Sequence, residues 1–322
     1  MNRILAAGAL TVALSWSFLG MTGAQDVVGE SGAVPAASQD DGPQTLTVDV
    51  ERVRVPFTVV DDDGRHVTDL TEADVRVYED DIRQQIDTFD ALTELPLTLA
   101  LAMDTSGSVR AKIGFEQEAA IEFFFTIMER RRDRGMLVTF DSVVQVLEDF
   151  TDSPEILSEA VRDIRVGGSS ALYDAAYLSI TLKMAEEPPE SRRVLIVISD
   201  GDDNASEKTL DDVLEVAQRY DVVVYTLSTN DTANFSADRQ QRGNRLLEEL
   251  AEATGGRAYY PFDLEELVNS LADITEDLRN QYIVTYASSN PARDGSRRDI
   301  EVRTSDANLK VTARRYYRAP SD

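Results

Sequence analysis

The sequence predicts an α/β fold: a doubly wound, mostly parallel six-stranded sheet, flanked by a β-sandwich that the N- and C-terminal segments build together. Three observations lead there. Two apolar runs, Leu97 to Met103 with Thr98 its one polar residue and Val194 to Ile198, read as strands buried on both faces, as in a parallel sheet covered by helices. Around them, strand-like and helix-like segments alternate from Leu97 to Leu278. Outside that region the hydrophobic period changes to two, the signature of half-buried strands.

Arg3 supplies a short basic start, Ile4 to Leu19 is mostly apolar and the small residues Thr22-Gly23-Ala24 follow, which reads as a signal peptide cleaved after Ala24. An uncleaved membrane anchor is the alternative, although the run is short and interrupted by Ser and Gly. Residues 25–44 are rich in Ala, Ser, Gly, Pro, Asp and Gln and read as a disordered leader. A β unit follows over 45–92. Leu46, Val48 and Val50, then Val53, Val55, Phe57 and Val59, alternate with polar residues up to the turn Asp61-Asp62-Asp63-Gly64, and two further strands are expected at Val75 to Tyr78 and Gln84 to Phe89.

The α/β domain is expected over 95–280. After the Leu97 strand, Lys112 to Arg130 reads as a helix with Ile113, Ala120, Phe123, Phe124 and Ile127 facing a core. Met136 to Phe140 and Val143 to Leu147 are joined by only Asp141-Ser142, too short a link for a crossover, so they pair antiparallel. Ser153 and Pro154 open a helix to Ile164 as N-cap and first residue. A helix at Leu172 to Ala185, the Val194 strand, a helix at Thr209 to Tyr220 and a strand at Val222 to Leu227 come next. Ser228 to Arg242 reads as a polar loop, followed by a helix at Asn244 to Ala253, a short strand at Arg257 to Tyr260 and a last helix at Leu264 to Leu278. Alternation returns over 281–318, with strands at Tyr282 to Tyr286, Asp299 to Arg303 and Lys310 to Ala313. Neither β block has enough strands for a stable sheet alone, so they are expected to join; two separate hairpin appendages are the alternative.

Composition narrows the chemistry. The 322 residues carry a formal net charge of −27, with 42% hydrophobic and 28% charged residues. Such a field repels nucleic acid and anionic lipid and favours cations. No cysteine is present and the single histidine is His66, which excludes disulfide frameworks, Cys/His zinc sites and Ser-His-Asp triads. His66 follows the acidic turn and reads as a surface residue.

The buried Leu97 strand ends in Asp104-Thr105-Ser106-Gly107-Ser108, three oxygen side chains at alternate positions with a glycine that lets the backbone turn. Open α/β sheets bind ligands at that edge. The other apolar strand ends in Ser199-Asp200-Gly201, and Gly167-Gly168-Ser169-Ser170 supplies hydroxyls between them. In a doubly wound sheet these two strands lie side by side, bringing Asp104 and Asp200 together. Two carboxylates so placed need a cation or a shared proton, and a hard cation such as Mg2+ takes such oxygen ligands.

At these residues the chain resembles the von Willebrand factor type A (VWA) domain. By that resemblance Asp104, Ser106 and Ser108 form the first loop of a metal-ion-dependent adhesion site and Asp200 the third. Ser170 stands where the family has Thr, with Ser169 as runner-up. A serine keeps the hydroxyl but lacks the methyl that restricts the rotamer. The resemblance implies sheet order 3-2-1-4-5-6 with strand three antiparallel. It also implies Mg2+ (or Mn2+ or Ca2+) with Ser106, Ser108 and Ser170 as direct ligands and Asp104 and Asp200 acting largely through water. Val59-Val60-Asp61, Gly64, Val77-Tyr78-Glu79-Asp80, Gln281-Tyr282, Asn290-Pro291, Asp294-Gly295 and Arg298-Asp299-Ile300 are similar to the flanks of an exported, acidobacterial-type group of VWA-related proteins. Asp81 and Arg315 depart from it where Gly is usual.

The implied function is an exported adhesion or scaffold module, periplasmic or extracellular, that grips a partner protein's carboxylate through the ion. It has no catalytic residue, no nucleic-acid partner and no stable membrane insertion once the signal is removed. Asp174, Asp202 and Asp203 are further rim candidates, although each reads more readily as a helix N-terminal acid or a solvated turn residue. Alternatives are a structural envelope protein with a vestigial site, and a metal-assisted hydrolase with Asp200 or Asp202 as base. The latter lacks a histidine and a phosphate-cradling loop.

Overall fold

The computed structural model describes residues 52–92, 95–188, 191–229 and 237–321. The expected signal peptide, the leader and the alternating residues 45–51 lie outside the described residues. All the described residues belong to one unit that runs from Asp49 to Asp322.

A six-stranded sheet forms the centre. It comprises β5 (Leu97–Asp104), β6 (Arg134–Phe140), β7 (Val144–Thr151), β8 (Arg192–Ser199), β9 (Val222–Ser228) and β10 (Ala258–Tyr259). Their spatial order is β10-β9-β8-β5-β6-β7. All neighbours are parallel except β6 and β7, whose antiparallel pairing follows from the two-residue link. Strand order reverses between β5 and β8, so the chain leaves both at one edge with a crevice between them.

Every residue of β5 is buried, because helices cover both faces. One face packs Leu99, Leu101, Met103, Ile196 and Ile198 against α1 (Ile113–Ile127), α2 (Pro154–Arg162) and α6 (Leu264–Arg279). The other packs Ala100, Ala102, Val138, Leu195 and Val197 against α3 (Leu172–Leu178), α4 (Leu210–Arg219) and α5 (Ala237–Thr254). Ser153 caps α2 by accepting from Ile156 N at 3.4 Å, with Pro154 at the first position.

The flanks form the sandwich. One sheet has order β13-β1-β11-β4 and the other β14-β12-β2-β3. Their strands are β1 (Arg52–Val60), β2 (Val75–Glu79), β3 (Ile82–Gln84), β4 (Ile86–Ala91), β11 (Tyr282–Ala287), β12 (Arg297–Thr304), β13 (Lys310–Ala313) and β14 (Tyr316–Arg318). Each sheet mixes N- and C-terminal strands, and Val55, Phe57, Val77, Val284, Tyr286 and Val302 fill the space between them. The sandwich meets the α/β domain through Asp221, which pairs with Arg54 at 2.8 Å, and through Arg315, which pairs with Glu252 at 2.7 Å. Asp221 lies between the end of α4 and the start of β9, so this contact is at the N-terminal edge of the central sheet, opposite the crevice.

Four expectations need correction. The single strand expected at Gln84 to Phe89 divides at Gln85. β3 pairs with β2 in one sheet and β4 with β11 in the other, because Gln84 turns inward and exchanges two hydrogen bonds with Ser289. The helix expected from Asn244 begins at Ala237; its first turns are polar because they face outward. The helix expected over Leu172 to Ala185 keeps α geometry only to Leu178 and then widens. His66 is not a surface residue: its side chain is 13% exposed and its Nε2 lies 3.3 Å from Asp277 at the end of α6. The turn Asp80-Asp81 has φ of 47° and 64°, so aspartates adopt the left-handed conformation where glycine is usual.

Candidate metal centre

The first loop leaves β5 at Asp104, whose side chain is fully buried. One carboxylate oxygen accepts from Ser106 N at 2.8 Å, which bends the chain back over the strand end. That bend places Ser106 Oγ 2.8 Å from Ser108 Oγ. Ser106 is buried and Ser108 exposed, so this hydroxyl pair runs from the floor of the crevice to its mouth.

The second loop is tied to the first by backbone. Gly167 N donates to Thr105 O at 2.8 Å and Gly107 N to Gly168 O at 3.2 Å. Ser170 comes next and is buried, and its Oγ donates to Asp104 Oδ2 at 3.1 Å. Ser169 points elsewhere: it is exposed and its N–H donates to Ser142 Oγ. The geometry therefore joins Ser170, not Ser169, to Asp104.

The third loop follows β8. Ser199 Oγ donates to Asp104 Oδ2 at 2.7 Å, and Asp200 is buried with one oxygen accepting from Asp202 N at 3.0 Å. Gly201 takes φ of 76°, and a Cβ there would lie 2.4 Å from Gly243 O in α5. Only glycine satisfies both the left-handed conformation and the approach of that helix.

Asp104, Ser106, Ser108 and Ser170 are thus linked by hydrogen bonds, and Asp200 lies on the adjoining strand end. The remaining rim candidates have structural partners. Asp174 accepts from Glu207 N and Lys208 N, Asp203 from Ser206 N, and Asp202 from Arg239 at 2.7 Å.

Electrostatics set this cluster apart. Burial pushes the Asp104 carboxyl up to about 6; Ser106 and Ser199 oppose the shift and the charge of Asp200 adds to it. One residue escaped the sequence reading. Glu116, in the first turn of α1, is 1% exposed, and its Oε1 has no hydrogen-bond partner. Burial, followed by the charges of Asp104 and Asp200, pushes it up to about 8 against the pull of Lys112. A signal was present: position 116 falls on the apolar stripe of Ile113, Ala120, Phe123 and Ile127, where a glutamate is out of place.

The donor set suits a hard divalent cation. It consists of hydroxyl and carboxylate oxygens, without sulfur or imidazole, and it lies beside a buried carboxylate with an unused acceptor. Among the described residues no three Asp, Glu or His side chains converge on a metal by themselves, so coordination here depends on the serine hydroxyls.

Comparison with known proteins agrees with this architecture. The family model of the von Willebrand factor type A domain matches residues 98–277, more than half of the chain. A curated relative, an uncharacterized protein of Borreliella burgdorferi, is 24% identical over 182 residues, covering 50% of this chain and 52% of that one. The chain thus spans about half the length of the curated relative it matches. Among solved structures, proximal thread matrix protein 1 from the mussel byssus superposes with a TM-score of 0.50 at 14% identity, over 62% of this chain and 51% of that one. Another structure of that mussel protein has a zinc-occupied MIDAS motif. A von Willebrand factor type A protein from Catenulispora acidiphila covers 84% of this chain and 74% of its own, with a TM-score of 0.49 at 12% identity. With its crevice between β5 and β8 and a family match spanning the whole central sheet, this chain belongs to the von Willebrand factor type A domain family.

Proposed function

We propose that this chain is an exported binding module in which Asp104, Ser106, Ser108, Ser170 and Asp200 hold Mg2+, or Mn2+ or Ca2+ in its place, to grip a carboxylate of a partner protein. The observation that carries the reading is the meeting of three loops at Asp104, with Ser170 Oγ at 3.1 Å and Ser199 Oγ at 2.7 Å from one carboxylate oxygen. Neutral hydroxyls as direct ligands leave a bound cation strongly electrophilic, and Ser108 opens the cluster to solvent. An acidic side chain from outside is the natural further ligand for such an ion.

Two features favour adhesion over catalysis. Asp202, one of the two alternative bases of a hydrolase, is engaged by Arg239 and Asn204, and Asp200, the other, accepts from Asp202 N. Among the described residues, the sandwich contacts through Asp221 and Glu252 lie at the edge of the sheet opposite the crevice. Export rests on the apolar N-terminal segment; among the described residues no helix is long and apolar enough to cross a membrane.

Calorimetric titration with Mn2+ tests the reading. Saturable binding is expected, with loss of at least 100-fold in affinity in Asp104→Ala. Recovery of a partner from the envelope fraction should then depend on the cation and disappear in EDTA. A folded wild-type chain that shows no Mn2+ heat and no Mn2+-dependent rise in melting temperature would remove the proposal.

A further inference from the structure

Glu116 is absent from the adhesion-site pattern, and its environment calls for an explanation. A buried carboxylate is costly unless it is paired or hydrogen-bonded, yet Oε1 has neither kind of partner among the described residues. Hydrogen bonds link its helical turn, though not its carboxylate, to the crevice, starting with Glu116 N donating to Lys112 O at 3.1 Å. Lys112, one helical turn before Glu116, donates from Nζ to Thr229 O at 2.9 Å. Thr229 N donates to Ser199 O at 2.9 Å, and Ser199 Oγ reaches Asp104. Thr229 Oγ1 is a second buried polar atom without a partner on this path. Two unused polar atoms therefore lie between the first turn of α1 and the strand ends that carry Asp104 and Asp200.

We propose that Glu116 is a positioning residue of the cation centre: its carboxylate supplies negative charge and a free acceptor behind Asp104, and so strengthens the hold of the site on a divalent ion. The proposal rests on the cation-binding reading above. In the protein without an ion, an ionised Glu116 contributes repulsion towards Asp104 and Asp200, so its carboxyl stays largely protonated at neutral pH. A dipositive charge in the crevice reverses the sign of that contribution, because a third carboxylate then stabilises it. The helix N-terminus beneath Glu116 favours the same charged form. Outer carboxylates of this kind typically change metal affinity by about 10- to 100-fold. The predicted signature is thus a residue that helps the ion-bound protein without helping the ion-free one.

The test uses Glu116→Gln, which keeps the shape, and Glu116→Leu, which replaces the carboxylate by a buried apolar side chain. Mn2+ affinity is measured by calorimetry, and melting temperature is measured in EDTA and in excess Mn2+. Both variants should melt in EDTA at or above the wild-type temperature, while their Mn2+ dissociation constants rise about tenfold or more. Unchanged affinity in both variants would overturn the proposal. So would weaker binding accompanied in both by a lower melting temperature in EDTA, since that describes a residue needed only for packing. Failure of the wild-type chain itself to bind Mn2+ would instead remove the cation-binding reading. Binding at wild-type affinity in both variants leaves that reading intact and removes only Glu116 from it.

Discussion

Two groups of buried charge in this molecule are built on opposite plans. Inside the sandwich, Glu79 is almost fully enclosed, and its two oxygens accept from Tyr286 Oη at 3.0 Å, Tyr317 Oη at 2.9 Å, Ser288 Oγ at 2.6 Å and Arg298 at 3.3 Å. Arg298, equally buried, also donates to the carbonyls of Asn290 and Ala292. The donors come from β11, β12, β14 and the segment after β11, so one carboxylate from the N-terminal block fastens the C-terminal block to it. At the crevice, Asp104, Asp200 and Glu116 gather instead with like charge facing like charge, and one acceptor is left unused. A buried carboxylate whose acceptors are filled from within holds a fold together. One with an open acceptor and repelling neighbours is arranged for something that arrives.

The sharpest way to break this contrast is to remove the enclosed carboxylate. Glu79→Ala leaves Arg298 buried without its anion and should destabilise the chain by about 3–5 kcal/mol, read as a fall in the denaturant midpoint. Mn2+ affinity of the folded protein should not change, because the sandwich sits at the far edge of the sheet. A parallel loss of Mn2+ binding would show that the two groups are coupled after all.

A pH series separates the groups next. Asp104 and Glu116 are held above their ordinary values of 3.8 and 4.5, at about 6 and about 8. The folded chain without cation therefore keeps protons that the unfolded chain has released. Stability in EDTA should fall as pH rises, from about pH 4 to 6 through Asp104 and on to about pH 8 through Glu116. The limiting slope is about 1.4 kcal/mol per pH unit for each group. Excess Mn2+ should flatten the dependence, and Glu116→Gln should abolish the part above pH 6. A stability in EDTA that rises between pH 5 and 8 would contradict the raised values.

The smallest effect is expected at the serine that replaces threonine. Ser170→Thr restores a methyl that limits rotamer freedom beside Asp104 and should tighten Mn2+ binding about threefold. A weaker site would mean that buried position 170 has no room for the methyl.

Much of the architecture was legible because it is written in local periodicity. The apolar run of β5 gave a strand covered on both faces, and the Asp141-Ser142 link required the antiparallel edge that β7 provides. The division of β3 from β4 was not legible. A strand that changes sheets keeps its alternation, and the inward turn of Gln84 depends on Ser289, about 200 residues away. The start of α5 was hidden for a related reason, since its exposed first turns resemble a polar loop in composition. At the site, Asp104, Ser106 and Ser108 could be read from one loop because they act on one another at a spacing of two. The choice of Ser170 over Ser169 could not, and Glu116 was passed over because one glutamate on an apolar stripe reads as a helix face.

The sequence alone determined where most strands and helices lie, which faces are apolar, and that oxygen donors end the two most buried strands. These properties depend on neighbours along the chain, where side-chain period and burial are directly related. Only the tertiary structure decided that Ser170 and Ser199 meet at Asp104, that Glu116 is shut in behind them, and that the lone histidine packs onto Asp277 rather than facing solvent. Each of those is a contact between distant residues, fixed by how loops close and helices pack, and no local pattern carries that information.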